Sequence, residues 1–137
     1  YTDNWDTWGQ EIEELGTTDI SFSPEIVANS QLSFTPVKNL GVNLITQYVG
    51  EQYIDNTSSE DRKLDDYLVN NLRINYAIET SWMKKASVYL QVNNILDEKY
   101  ITNAWIYPFY SGGEINYLDG YYPQAGINFM AGLNLKF

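Results

Sequence analysis

The sequence has no cysteine and no histidine. Thiol nucleophiles, disulfides, structural zinc and imidazole bases are excluded together. Basic residues are scarce: eight Lys and Arg stand against 18 Asp and Glu, for a formal net charge of −10. Phosphate binding needs a basic surface, so a nucleic-acid partner is disfavoured. Long apolar runs are missing too. The longest, Ala104 to Tyr110, contains a proline, and a spanning helix needs about 20 apolar residues. Spanning by strands stays open. No signal-peptide pattern opens the chain at Tyr1. Aromatics, in contrast, are abundant, at 15% of 137 residues with 12 Tyr and four Trp. Such a supply suits interfacial belts or a stacking surface.

Five segments alternate with a period of two. They are 24–35, 40–53, 67–79, 86–96 and 123–137. Ile26, Ala28, Leu32 and Phe34 share one face of the first, and Leu40, Val42, Leu44 and Tyr48 one face of the second. Leu68, Leu72, Ile74, Tyr76 and Ile78 do so in the third, and Ala86, Val88, Leu90 and Val92 in the fourth. In the fifth the face runs Ala125, Ile127, Phe129, Ala131, Leu133, Leu135, Phe137. Period two predicts strands, not helices. Ser30, Thr46, Asn70 and Asn94 are polar intruders on these faces, and none of the intruders is charged. The opposite faces carry mainly Asn and Gln, with Glu51, Arg73 and Lys136 among the few charged residues there. Soluble strands usually show charge there. Neutral amides suit a wet interior that bonds water or another domain. The segments are longer than the usual five or six residues and match the roughly 9–11 of a tilted membrane strand.

The connections alternate as well. Pro36–Asn39 and Thr80–Lys85 are short. Ile54–Asp66 is a longer polar loop, Asp97–Tyr122 a long aromatic one, and Tyr1–Ser23 reads as the end of a further long loop. Short turns on one side and long loops on the other describe an up-and-down outer-membrane barrel. The long-loop side is acidic, whereas Lys38, Lys84, Lys85 and Lys136 gather on the short-turn side. Acidic loops either bind cations that bridge lipopolysaccharide or form a solvated surface. No loop has the oxygen-rich pattern of a hard-cation site, and no metal or cofactor is expected.

Val92-Asn93-Asn94-Ile95-Leu96-Asp97-Glu98-Lys99-Tyr100 resembles the penultimate-strand motif of TonB-dependent outer-membrane receptors. The stretch from Tyr122-Pro123-Gln124-Ala125-Gly126 to Leu135-Lys136-Phe137 resembles their closing strand. Val49-Gly50-Glu51-Gln52-Tyr53, followed by Asp55-Asn56, is similar to receptors of the Bacteroidetes type. The sequence departs from the family at Ile127, where Arg is usual.

The resemblance implies an all-β fold, a transmembrane antiparallel up-and-down barrel of 22 strands with a plugged lumen. The chain would supply the C-terminal five strands, because so few strands cannot close alone and open edges in lipid are prohibitive. The implied function is active import of a scarce nutrient, of the siderophore, haem, cobalamin or glycan class. The implied partners are the rest of the barrel, the plug domain, the TonB–ExbB–ExbD complex, lipopolysaccharide and outer-membrane lipid, and a surface lipoprotein. Trp105, Tyr107, Phe109, Tyr110 and Tyr117 of the aromatic loop either stack on substrate or pack the loops together; Trp5 and Trp8 have the same two readings. Tyr48, Tyr53, Tyr76, Trp82 and Tyr100 fit an interfacial girdle. Leu133, Leu135 and Phe137 resemble the terminal signature read by the barrel-assembly machinery. Two rival classes are a passive porin and a soluble carbohydrate-binding β-sandwich. Catalysis is not expected: the carboxylate pairs Glu13-Glu14 and Asp65-Asp66 lie in polar loops with no apolar surround to tune them.

Overall fold

A computed structural model describes residues 2–4, 9–11 and 14–137. Eleven strands follow in order: β1 Thr2–Asn4, β2 Gly9–Glu11, β3 Val27–Val37, β4 Leu40–Val49, β5 Gln52–Tyr53, β6 Lys63–Leu64, β7 Tyr67–Ile78, β8 Lys85–Asn93, β9 Ile101–Ser111, β10 Glu114–Pro123 and β11 Asn128–Lys136. One short 3-10 turn, Glu60–Arg62, interrupts them. The protein is all-β with antiparallel sheets, and no α-helix occurs among the described residues.

The chain divides into two compact units. One comprises residues 26–50, 66–100 and 124–137, and holds a five-stranded sheet in the order β11-β8-β7-β4-β3. Each strand pairs antiparallel with its neighbour. The strands run 9 to 12 residues. Directly opposed residues share a face, so the register shows whether the alternating faces align. Leu32, Leu44, Leu72, Val92 and Phe129 form one row across all five strands. Phe34, Val42, Ile74, Leu90 and Ala131 form the next. Three of the sequence's four polar intruders fall together in a third: Ser30 opposes Thr46, and Thr46 opposes Asn70. The Thr46 hydroxyl donates to the Asn70 side chain at 2.6 Å, and Asn70 meets the Asn94–Ile95 segment through the Ile95 amide.

The amides of the other face bond one another. Ser33 donates to Asn43 at 2.8 Å, Gln91 to Asn93 at 2.7 Å and Asn93 to Asn128 at 2.9 Å. Arg73 lies 5.3 Å from the Tyr89 ring centre. That ring crosses Gly132, where a Cβ would fall 2.3 Å from it. Much of the apolar face is exposed. Leu32, Phe34, Leu133 and Phe129 are 67%, 66%, 63% and 80% exposed. The outer edges of β3 and β11 have no strand partner among the described residues.

Strand ends depart from the periodicity where backbone chemistry intervenes. The second strand stops at Val49 rather than running to Tyr53. The Gly50 amide turns to the Ile26 carbonyl, and a Cβ on Gly50 would crowd that oxygen at 3.3 Å. The first strand runs on to Val37 through an irregularity between Phe34 and Val37. Pro36 sits there, where its missing N–H is tolerated. The fourth strand ends at Asn93 because Asn94 and Asp97 take positive φ, at 51° and 53°.

The other unit gathers residues 1–25, 51–65 and 101–123, the three stretches read as long connections. They are not merely loops. β5 pairs with β6, and β9 with β10 in a ten-residue ladder. The segment Asp97–Tyr122 is therefore mostly hairpin, a correction to the expected aromatic loop. Its turn is Gly112-Gly113, with φ of 67° and 87°, the left-handed pair that tight hairpins require. A small core of Ile54, Leu64 and Ala104, with Ile101 and Ile106 packed on it, holds this unit. Charge divides sharply. This unit contains 14 acidic and two basic residues, and the sheet unit four acidic and six basic.

Candidate binding site

The five aromatics expected to contact substrate all lie on the β9–β10 hairpin, but not on one face. Trp105, Tyr107 and Phe109 recur at every second residue, and with Leu118 opposite Tyr107 they make an exposed apolar stripe. The Trp105 indole lies across Gly120, where a Cβ would sit 2.3 Å from Nε1. Glycine there lets the ring lie flat on the neighbouring strand. Tyr110 and Tyr117 occupy the opposite face. Tyr110 closes the hairpin tip, its phenol donating to the Gly113 carbonyl at 2.7 Å. Trp5 and Trp8 lie outside the described residues.

Tyr117 belongs to a pocket of about 230 Å³. Ile54 and Ile106 give it apolar walls that continue into the small core. Arg62, Tyr117, Asp119 and Tyr121 give it polar ones, and Asp61 completes the lining. The Arg62 guanidinium sits 4.2 Å from the Tyr117 ring centre, a cation–π contact. It also donates to Asp55 at 2.6 Å, and Thr57 donates to the same carboxylate through both its amide and its hydroxyl. Partial burial works against charge on Asp55, but the Thr57 and Arg62 hydrogen bonds outweigh it and hold the carboxyl below its usual 3.8. Burial likewise opposes charge on Arg62, and Asp55 more than compensates. Tyr121 donates to Asp119, which together with burial raises the phenol's pKa. Neither Asp61 nor Asp119 enters an ion pair among the described residues.

Of these groups, the sequence reading included Tyr117 alone. Asp61 and Arg62 lie more than 50 residues from Tyr117 and Asp119, so no local spacing could join them. A usable signal was the basic pair Arg62-Lys63 inside an otherwise acidic stretch. Lys63 reaches Glu60 at 2.7 Å and Glu51 at 3.2 Å, and these carboxylates raise its pKa above the ordinary 10.5.

The remaining aromatics scatter. Tyr48 and Tyr76 stand in the sheet's apolar rows, opposite Leu68 and Val88. Tyr100 lies 4.6 Å from Tyr67, ring centre to ring centre. Trp82, in the short β7–β8 connection, is 6.3 Å from Phe137. Tyr53 instead belongs to the other unit, its phenol donating to Glu60 at 2.9 Å. Leu133 and Leu135 continue the apolar face of β11, and Phe137 is 72% exposed. No three acidic side chains among the described residues gather as a metal site. Asp65 and Asp66 are exposed, and Glu13 lies outside the described residues.

The two motifs that carry the resemblance meet. Asn94, 2% exposed, donates to the Glu98 and Ala125 carbonyls and accepts from the Glu98 amide. Asp97 accepts from the Ile127 amide and from Lys99, both at 2.9 Å. A Cβ on Gly126 would lie 2.3 Å from the Asp97 carboxylate. At Ile127 it is the backbone N–H that serves Asp97, so the contact does not depend on the side chain there.

No protein-family model and no solved structure matches the chain.

Proposed function

We propose that the chain is part of the barrel of a TonB-dependent outer-membrane receptor, an active importer of a scarce nutrient. The sheet's uncovered apolar face carries the reading. Two rows of Leu, Ile, Val and Phe, with one Ala, cross all five strands, with bonded amides on the reverse and no strand partner for either edge among the described residues. A soluble sandwich would bury those rows beneath a second sheet. A barrel in a bilayer turns them to lipid and satisfies the edges with further strands. In this reading the short turns face the periplasm, and the acidic unit faces outside the cell. The remaining strands, the plug, TonB–ExbB–ExbD, lipopolysaccharide and a surface lipoprotein are the partners.

The test is a cysteine at Ser111, beside the hairpin turn. It should react with an impermeant maleimide on whole cells. Labelling only after the outer membrane is broken would reverse the topology. Detergent-free solubility of the intact protein would remove the membrane reading. A gene with no plug domain upstream of Tyr1 would leave a passive porin.

A further inference from the structure

We infer that the pocket between Arg62, Tyr117 and Tyr121 binds an alkylammonium group carried on an apolar stem. The pocket's single cation is already engaged, bonded to Asp55 and stacked on Tyr117. Asp61 and Asp119, the latter accepting from Tyr121, enter no ion pair among the described residues, on a lining that also offers Ile54, Ile106 and the Tyr121 ring. An anionic ligand would meet two carboxylates with no free cation to receive it. A neutral polyol would gain nothing from the charge. An ammonium group gains twice, from the carboxylates at short range and from aromatic rings beside it. Its methylenes cover the isoleucines. At long range the 14-to-2 excess of acidic residues in this unit draws cations towards it and speeds their arrival.

The chemistry fits two sources, a free organic amine and a lysine side chain of a peptide. Calorimetric titration of the purified full-length protein separates them, with cadaverine and a blocked tri-lysine peptide as probes and 1,5-pentanediol as the neutral isostere. Cadaverine or the peptide should bind, pentanediol should not, and binding should weaken with salt. The tighter of the two cationic probes assigns the source. Asp61→Asn and Asp119→Asn should each weaken binding by about tenfold. The paired change Asp65→Asn with Glu25→Gln removes twice the charge of either single change from the same unit, away from the pocket lining, and should still cost far less. Pentanediol binding as well as cadaverine, neither cation binding, or equal loss in the distant pair would each overturn the assignment. Nothing in this titration requires a membrane. Failure here therefore leaves the barrel reading intact, and failure of Ser111 labelling leaves the pocket intact.

Discussion

The two units dispose of apolar surface in opposite ways. In the acidic unit Ile54, Leu64 and Ala104 are buried, at 2% to 5% exposure, and charges stand outside them. In the sheet Leu32, Phe34, Leu90, Phe129 and Leu133 of the apolar face are exposed, and polar groups bond one another on the reverse. The first arrangement is what water selects, through burial of apolar area. The second is what the proposed barrel would require, with an apolar medium on the outside and every backbone group paired. The five strands of the sheet contain no carboxylate at all. One chain thus alternates between two patterns of apolar surface, which change at Ile26, Gly50, Asp66, Tyr100 and Gln124.

The sharpest break in this comparison would come from core truncation. Leu64→Ala in the acidic unit should cost about 2–5 kcal/mol, seen as faster amide exchange over residues 51–65 with little change in the sheet. Equal loss of protection in both would show that the units are not separate in stability. Next comes charge on the apolar face. Leu44→Arg should cost roughly 2–4 kcal/mol in lipid vesicles, measured by denaturant unfolding. Leu118→Arg, on the exposed stripe of the hairpin, should stay within about 0.5 kcal/mol. Similar penalties at both positions would mean both surfaces see the same solvent. A smaller effect is expected at the glycines. Gly120→Ala should displace the Trp105 indole, shift its emission and destabilise by about 1–3 kcal/mol, whereas Gly41, with open space around its Cα, should accept alanine with no change in tryptophan emission.

The smallest effect concerns acid. Asp55 has a folded pKa below the ordinary 3.8, so its contribution is complete above that value. It is lost as the pH falls through the lower folded value. Acidification below about pH 4 should therefore loosen residues 51–65 while the carboxylate-free strands hold. Exchange measured at descending pH would check this, and early loss of β3 and β4 protection would contradict it.

The sheet was readable in the sequence because one side of each strand is apolar and the other polar, a contrast that period two exposes. Register was not. Ser30, Thr46 and Asn70 read as separate exceptions until pairing placed them along one line, with Asn94 just past the end of β8. The hairpin hid for a related reason. Trp105, Ile106, Tyr107, Pro108 and Phe109 are apolar on both faces, so no alternation marks a strand, and Pro108 argues against one. In a two-stranded ribbon its missing N–H does no harm on the outer edge. The pocket was invisible because residues from two distant segments meet there through packing around Ile54 and Ala104, not through any motif.

The knot formed by Asn94, Asp97, Gly126 and Ile127 has a consequence for how such a protein can change. β8 and β11 are neighbours in the sheet, yet the whole hairpin is threaded between them. The knot clamps the base of that excursion, so strand pairing from Asn93–Asn128 onwards does not register its length. Closing a longer excursion costs little, about 0.6 kcal/mol for each doubling. The hairpin, with its aromatic stripe and half of its pocket, is thus an exchangeable cassette. Recombination at the knot would replace one hairpin with another and leave the pairing of β8 with β11 unaltered.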